Sequence, residues 1–326
     1  MLLLGGCLFN APPPKEPAAD PELAQETAAA RLAFQRGANE QAITLYRRAL
    51  DRARVMDDAG EIGKAAYNLA AALVRAGQYD AARGVLREAE AETLRAGVNA
   101  ADVLLLEAKV AHLQDEPTDA LVLADRVLTE PTSKPDDAHR LQVHVLRGEV
   151  GLDLNQRDLA QSELARAQKL LGGGDNRENP ALRAAVQGLG ARVSQTGGDP
   201  AKAAAGFDRQ AEGLRQAYLY RDMARALSRA GGAYRDAGRS DLAADRLYRA
   251  ARSFHAQDDA AEARRLIDAA LSLAQQTNDT ELIDRIRVLR KDLVGPLPPA
   301  TGQAGENGGR MRPAPPAGGG GEEEAV

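Results

Sequence analysis

The chain has 326 residues, 42 of them basic and 47 acidic, for a net charge of −5, and 44% are hydrophobic. It has no Trp and only 3% aromatics, so a core must be built from Ala and Leu, which suits closely packed helices far better than sheets. The balanced surface has no basic block to track a phosphate backbone, which argues against nucleic acid as a partner, and no stretch reaches the roughly 20 apolar residues of a membrane-spanning helix.

In chain order, residues 1–7 form an apolar stub in which Gly5 and Gly6 precede Cys7. Leu4-Gly5-Gly6-Cys7 resembles the bacterial lipobox. The resemblance implies cleavage before Cys7 and attachment of lipid to its thiol, and hence a membrane partner reached through acyl chains. Only six residues precede Cys7 and none is basic, which is short for a secretory signal and suggests a start codon further upstream. Residue 8 is Leu rather than Asp, which under the same resemblance points to the outer membrane, facing the periplasm. The alternative is a cytoplasmic protein with a frayed terminus. Cys7 is the sole cysteine, so no intramolecular disulfide forms.

Residues 8–20, with Pro12, Pro13, Pro14 and Pro17, are predicted to be an unfolded tether. Residues 21–294 are helical in pattern. Gly172 to Gly174 and Pro180 interrupt them, so residues 172–180 are expected to divide a first sub-array, 21–171, from a second, 181–294, and to offer a hinge between them. Residues 260–293 read as a terminal capping pair. Residues 295–326 are rich in Pro and Gly and end near Glu322, Glu323 and Glu324. They carry too little apolar surface to fold and are expected to form a disordered tail.

Within the helical region one pattern recurs: a Gly or small polar lead, an Ala five positions on, a bulky residue four later and a small one three after that. The clearest copies are Gly37, Ala42, Tyr46, Ala49; Gly77, Ala82, Leu86, Ala89; and Gly238, Ala243, Leu247, Ala250. Weaker copies start at Asp115, Asn155 and Gly198, so the leads are spaced by 40, 38, 40, 43 and 40 residues, a period that signifies a solenoid. Seven residues before each lead stands another small residue: Ala30, Ala70, Ala108, Gly148, Ala191 and Gly231. Small side chains at both places let two helices approach closely, with the bulky residue expected between successive pairs.

Gly231, Tyr234, Gly238, Ala243, Leu247 and Ala250, and likewise Ala70, Gly77, Tyr79, Ala82 and Ala89, resemble the tetratricopeptide repeat signature over roughly residues 22 to 293. The resemblance implies an all-α, right-handed superhelical solenoid of antiparallel helix pairs that binds a protein or extended peptide in a groove lined by the first helix of each pair. Departures are the period near 40 rather than 34, the missing aromatic at the opening of the first helix, and Pro117 where an aromatic is common.

In the family, positions two, five, six, nine, twelve and thirteen of the unit line the groove. In the second unit these are Lys64, Tyr67, Asn68, Ala71, Val74 and Arg75, with Asn68 suited to hold a peptide backbone because a carboxamide both donates and accepts. In the sixth unit they are Arg225, Ser228, Arg229, Gly232, Arg235 and Asp236, a basic cluster for carboxylates. Lys109 and His112 in the third unit and Arg192 in the fifth continue the lining.

His139 and His144 are five apart and so on different helix faces, unlike the four-apart pair of a zinc site. No Cys/His cluster, nucleophile elbow, phosphate-binding loop or dinucleotide fingerprint occurs. The sequence therefore reads as a non-catalytic interaction scaffold that needs no metal or other cofactor.

Overall fold

The computed structural model describes residues 20–294. Cys7 with its lipobox, most of the Pro/Ala tether and the Pro/Gly/Glu tail lie outside the described residues.

The described chain forms fourteen α-helices in seven consecutive antiparallel pairs. These are α1 (Pro21–Gln35) with α2 (Asn39–Met56), α3 (Ala59–Arg75) with α4 (Tyr79–Arg95), α5 (Ala101–Leu113) with α6 (Pro117–Thr129), and α7 (Asp137–Asp153) with α8 (Arg157–Leu171). After a short 3-10 turn at Gly174–Glu178 follow α9 (Pro180–Thr196) with α10 (Pro200–Gln216), α11 (Tyr220–Asp236) with α12 (Ser240–His255), and α13 (Ala260–Gln276) with α14 (Thr280–Val294). The fold is an all-α solenoid, and α13 and α14 close it as a seventh pair.

The lead position of the repeat is a turn residue. Gly37, Gly77, Asp115, Asn155, Gly198 and Gly238 all have positive φ, as does Asn278 in the seventh pair. At Gly77 the following amide, Gln78 N–H, donates back to the Leu73 carbonyl at 2.9 Å, the six-to-one bond of a Schellman turn. The left-handed residue lets the first helix stop and the second begin after only three residues, and Gly, Asn and Asp adopt it most readily. Five of the seven first helices start on side-chain caps: Asp20, Asp58, Asp136, Asn179 and Asp259 each accept from an amide in the first turn.

The long period has a simple origin. Most helices are 15 to 18 residues long, and the connections within pairs are short. The third pair has helices of only 13 residues, and residues 130–136 restore the spacing before α7 begins. Pro117 is the first residue of α6, a position where its missing N–H costs nothing.

The predicted small residues are buried where two backbones meet. Ala30, Ala70 and Ala108 are fully buried in first helices, and Ala42, Ala82, Ala120, Ala160, Ala203 and Ala243 in second helices. In the fifth pair a Cβ on Gly206 would lie 2.8 Å from the Ala191 Cβ, and one on Gly213 would lie 3.0 Å from that of Ala184, so the two helices touch backbone to backbone along their length. Leu247, expected between pairs, instead stands over Gly231 of its own pair.

Packing runs across residues 172–180. Leu141 of α7, Ala167 of α8 and Leu182 and Val186 of α9 share one apolar cluster, and Leu189 of α9 lies against Gly148 of α7, where an added Cβ would meet its Cδ2 at 2.6 Å.

Two adjacent glycines in α11 separate space from propensity. A Cβ on Gly231 would come within 2.7 Å of the Leu247 side chain and 3.2 Å of the Ala243 carbonyl, whereas one on Gly232 meets nothing within 4 Å. Gly231→Ala is expected to cost about 1–3 kcal/mol by overpacking, and Gly232→Ala to add about 0.5–1 kcal/mol through helix propensity. Urea unfolding midpoints moving in opposite directions check this pair.

Candidate functional site

Polar side chains of five first helices bond across pairs in two groups, α1 with α3 and α5 with α7 and α9. Arg75 of α3 donates to the Phe34 carbonyl of α1 at 3.0 Å and lays its guanidinium 4.7 Å from the Phe34 ring centroid. Lys109 of α5 donates to Gln142 Oε1 of α7 at 2.7 Å. His139 of α7 meets Asp102 of α5 at 3.1 Å as well as its own cap Asp136. His112 of α5, Asp153 of α7 and Arg192 of α9 form a chain across three pairs, with His112 Nε2 2.7 Å from Asp153 Oδ2 and Arg192 Nη2 2.6 Å from Oδ1. Glu149 adds a second carboxylate 4.0 Å from Arg192.

These surroundings shift the groups within them. Burial pushes the Asp153 carboxyl up, but hydrogen bonds from His112 and Arg192 outweigh it and hold the group below the usual carboxylate range. Burial lowers the Lys109 ammonium, with Asp102 only partly offsetting it. Burial, then the Asp102 charge, raises the Tyr67 phenol.

The predicted lining residues therefore fall into two groups. Arg75, Lys109 and Arg192 are tied to neighbouring first helices. Lys64 pairs only with Glu61 on its own helix at 2.9 Å, and Asn68, half-buried beside Tyr67, makes no hydrogen bond among the described residues. The three predicted arginines of α11 are exposed and make no ion pair to another first helix among the described residues: Arg225 pairs with Asp222 at 3.0 Å, Arg235 with Asp236 at 3.2 Å, and Arg229 has none. Phe34, Asp102, Gln142, Glu149 and Asp153 were not among the predicted residues. The signal for four of them was present, because Asp102 and Gln142 occupy position two of their units, Glu149 position nine and Asp153 position thirteen. Phe34, at position twelve of the first unit, carries the same signal.

Behind this face, ion pairs between residues about one repeat apart join successive second helices. Arg54 meets Glu88 at 2.6 Å, Arg246 meets Asp208 at 2.8 Å, and Arg83 meets Glu116. His144 and Arg147 of α7 and Arg166 of α8 converge on the fully buried Glu163, with His144 Nδ1 at 2.6 Å. His139 and His144 thus serve different carboxylates on different faces. A cleft of about 170 Å³ between α10 and α12, floored by Met223 and Leu227, also lies on the second-helix side.

One acid in this network is poorly compensated. Arg126 of α6 is shared among Glu90 at 2.5 Å, Glu130 at 3.4 Å and Glu107 at 4.0 Å. Burial, reinforced by the Glu90 charge, raises the Glu107 carboxyl to about 7.

No protein-family profile and no curated protein sequence matches the chain. Solved structures do match it. The apo form of RapI is 12% identical with a TM-score of 0.54, covering 84% of this chain and 97% of that one. A Rap protein complexed with Competence and Sporulation Factor is 13% identical with a TM-score of 0.53, covering 84% and 78%. A signal transduction ATPase from Pyrococcus horikoshii with a tetratricopeptide repeat sensor is 16% identical with a TM-score of 0.50, covering 82% of this chain but 44% of that one. At these identities the likeness is one of fold, and the fold is that of tetratricopeptide repeat proteins.

Glu107 makes stability depend on pH. Its folded pKa near 7 lies above its ordinary 4.5, so between these values the folded state holds a proton that the unfolded state has lost, and stability falls as pH rises through that window. Removing the charge by Glu107→Gln is expected to leave stability little changed near pH 4.5 and to raise it relative to the parent by an amount that grows to about 3 kcal/mol above pH 7, with the melting temperature rising accordingly. Thermal melts across that range check the sign.

Proposed function

We propose that the chain is a non-catalytic scaffold that holds a protein or extended peptide along the face of its first helices. The observation carrying this reading is the division of that face. Polar side chains of α5, α7 and α9 are bonded to one another across pairs, and Arg75 ties α3 to α1, while the side chains of Asn68 and Arg229 make no hydrogen bond among the described residues. A carboxamide on a fixed helix face suits the alternating donors and acceptors of an extended backbone, and guanidinium groups suit acidic side chains or a terminal carboxylate. That a Rap protein of the same fold was solved with Competence and Sporulation Factor bound supports this mode of use.

We further propose that the scaffold is anchored in the bacterial envelope through lipid on Cys7, at the outer membrane facing the periplasm. The support is the Leu4-Gly5-Gly6-Cys7 sequence. No helix among the described residues is long and apolar enough to cross a membrane, so under this reading acyl chains make the attachment. Two or more of them hold a protein stably.

Two experiments test these readings. Partners captured by the full chain are expected to be lost or weakened on Asn68→Ala and on Arg229→Ala, each by about 1–3 kcal/mol, the cost of leaving a paired polar group alone. Full capture by both variants contradicts the binding face. Metabolic palmitate labelling of the full-length gene product is expected to disappear in Cys7→Ser, and equal labelling of both contradicts the anchor.

A further inference from the structure

Charge is unevenly distributed along the array. Residues 20–179 hold 27 acidic and 20 basic side chains, whereas residues 180–294 hold 15 acidic and 19 basic. The excess is concentrated on α9 and α11, which together carry six arginines and two aspartates. In α11, Arg221, Arg225 and Arg229 follow one another at four-residue steps and so form one exposed stripe. Like charges at this spacing repel and weaken a helix.

The stripe is only partly neutralised. Arg221 reaches Asp259 at the start of α13 at 2.5 Å, Arg225 shares Asp222 on its own helix, and Arg229 has no ion pair among the described residues. Carboxylates on the neighbouring first helices are few and mostly engaged elsewhere: α9 has no acidic residue, Glu262 of α13 feels the Arg225 charge but is bonded to Arg265 at 2.5 Å, and Asp268 of α13 pairs with Arg290 at 3.4 Å.

The most concentrated acidic run in the sequence is Glu322-Glu323-Glu324. It follows Val294, the last residue of α14, by 28 positions. A chain of that length spans up to about 90 Å, while α11 lies three helices back from α14, roughly 30 Å at ordinary helix spacing. A tethered segment within reach also acts at an effective concentration in the millimolar range, so modest affinity suffices.

We infer that the acidic segment Glu322–Glu324 docks in cis on the Arg225–Arg229 stripe of α11. There it occupies the free basic part of the first-helix face and competes with an acidic partner for it. The inference deepens the reading of that face as the binding surface and names the chemistry it selects. The two separate experimentally: a tail that stays away leaves partner capture intact, and a face that captures nothing leaves the tail contact measurable.

Because Cys7 is the sole cysteine, a spin label placed on the full chain by Ala325→Cys in a Cys7→Ser background reports the contact through paramagnetic broadening of backbone amides. At low salt, amides of residues 225–229 are expected to lose roughly half their intensity or more, and to recover it in about 0.5 M NaCl, where charges are screened within about 4 Å. The same recovery is expected when Glu322, Glu323 and Glu324 are all changed to Gln, which leaves the folded array untouched, and when Arg225→Ala and Arg229→Ala are combined. Unbroadened α11 amides, or broadening that persists in the Gln variant, overturn the inference. Broadening passed from a labelled chain to an unlabelled one places the tail of a second copy on the stripe and overturns docking in cis.

Discussion

The architecture depends on how closely the two helices of each pair approach. At Gly206 and Ala191, and again at Gly231 under Leu247, there is no room for an added methyl group, so the small residues are a steric requirement. Close approach puts apolar atoms of both helices in contact along their length and lets an Ala-rich, Trp-free sequence bury a succession of apolar clusters along the array. The left-handed turn residue is the second half of the same constraint, because a helix pair this tight needs a connection of very few residues. A chain that meets both conditions in six successive pairs has little freedom in where its side chains fall.

That register decides the chemistry of the surface. Positions that recur every 40 residues or so come to lie side by side on successive first helices, so His112, Asp153 and Arg192, far apart in sequence, form one hydrogen-bonded chain. Exposed ion pairs contribute little singly, but here several join neighbouring repeats, two between the third and fourth pairs and one between the fourth and fifth. Burial sharpens the effect, since hydrogen bonds keep Asp153 charged against its desolvation, whereas Glu107, with an arginine shared three ways, is not held in that form. The face toward the end of the array is different: among the described residues Arg221 alone of the α11 arginines is ion-paired to the start of another first helix, and Arg229 has no ion pair.

Much of this was legible in the sequence. The leads at Gly37 through Gly238 marked the turns, and the small residues before and after them marked the buried contact, because both are local requirements of backbone geometry. What the sequence hid was pairing between repeats. Asp102, Gln142, Glu149 and Asp153 stand at lining positions in weaker copies and Phe34 at position twelve of the first unit, but which neighbour each one meets depends on how successive pairs pack. The place of Leu247, within its pair and not between pairs, depends on a helix crossing that periodicity does not specify. The continuity of the core from α7 into α9 likewise rests on Leu189 meeting Gly148, a contact invisible behind the Gly-rich segment between them.

The central claim is that the first helices, and not the second, form the binding surface of this solenoid. Amide hydrogen exchange of the full chain, free and in complex with a partner it captures, tests this most directly. The account predicts that protection is gained along α3, α5, α7, α9 and α11, while α4, α6, α8 and α10 exchange as before. Protection gained chiefly on the second helices, with the first helices unchanged, would contradict it.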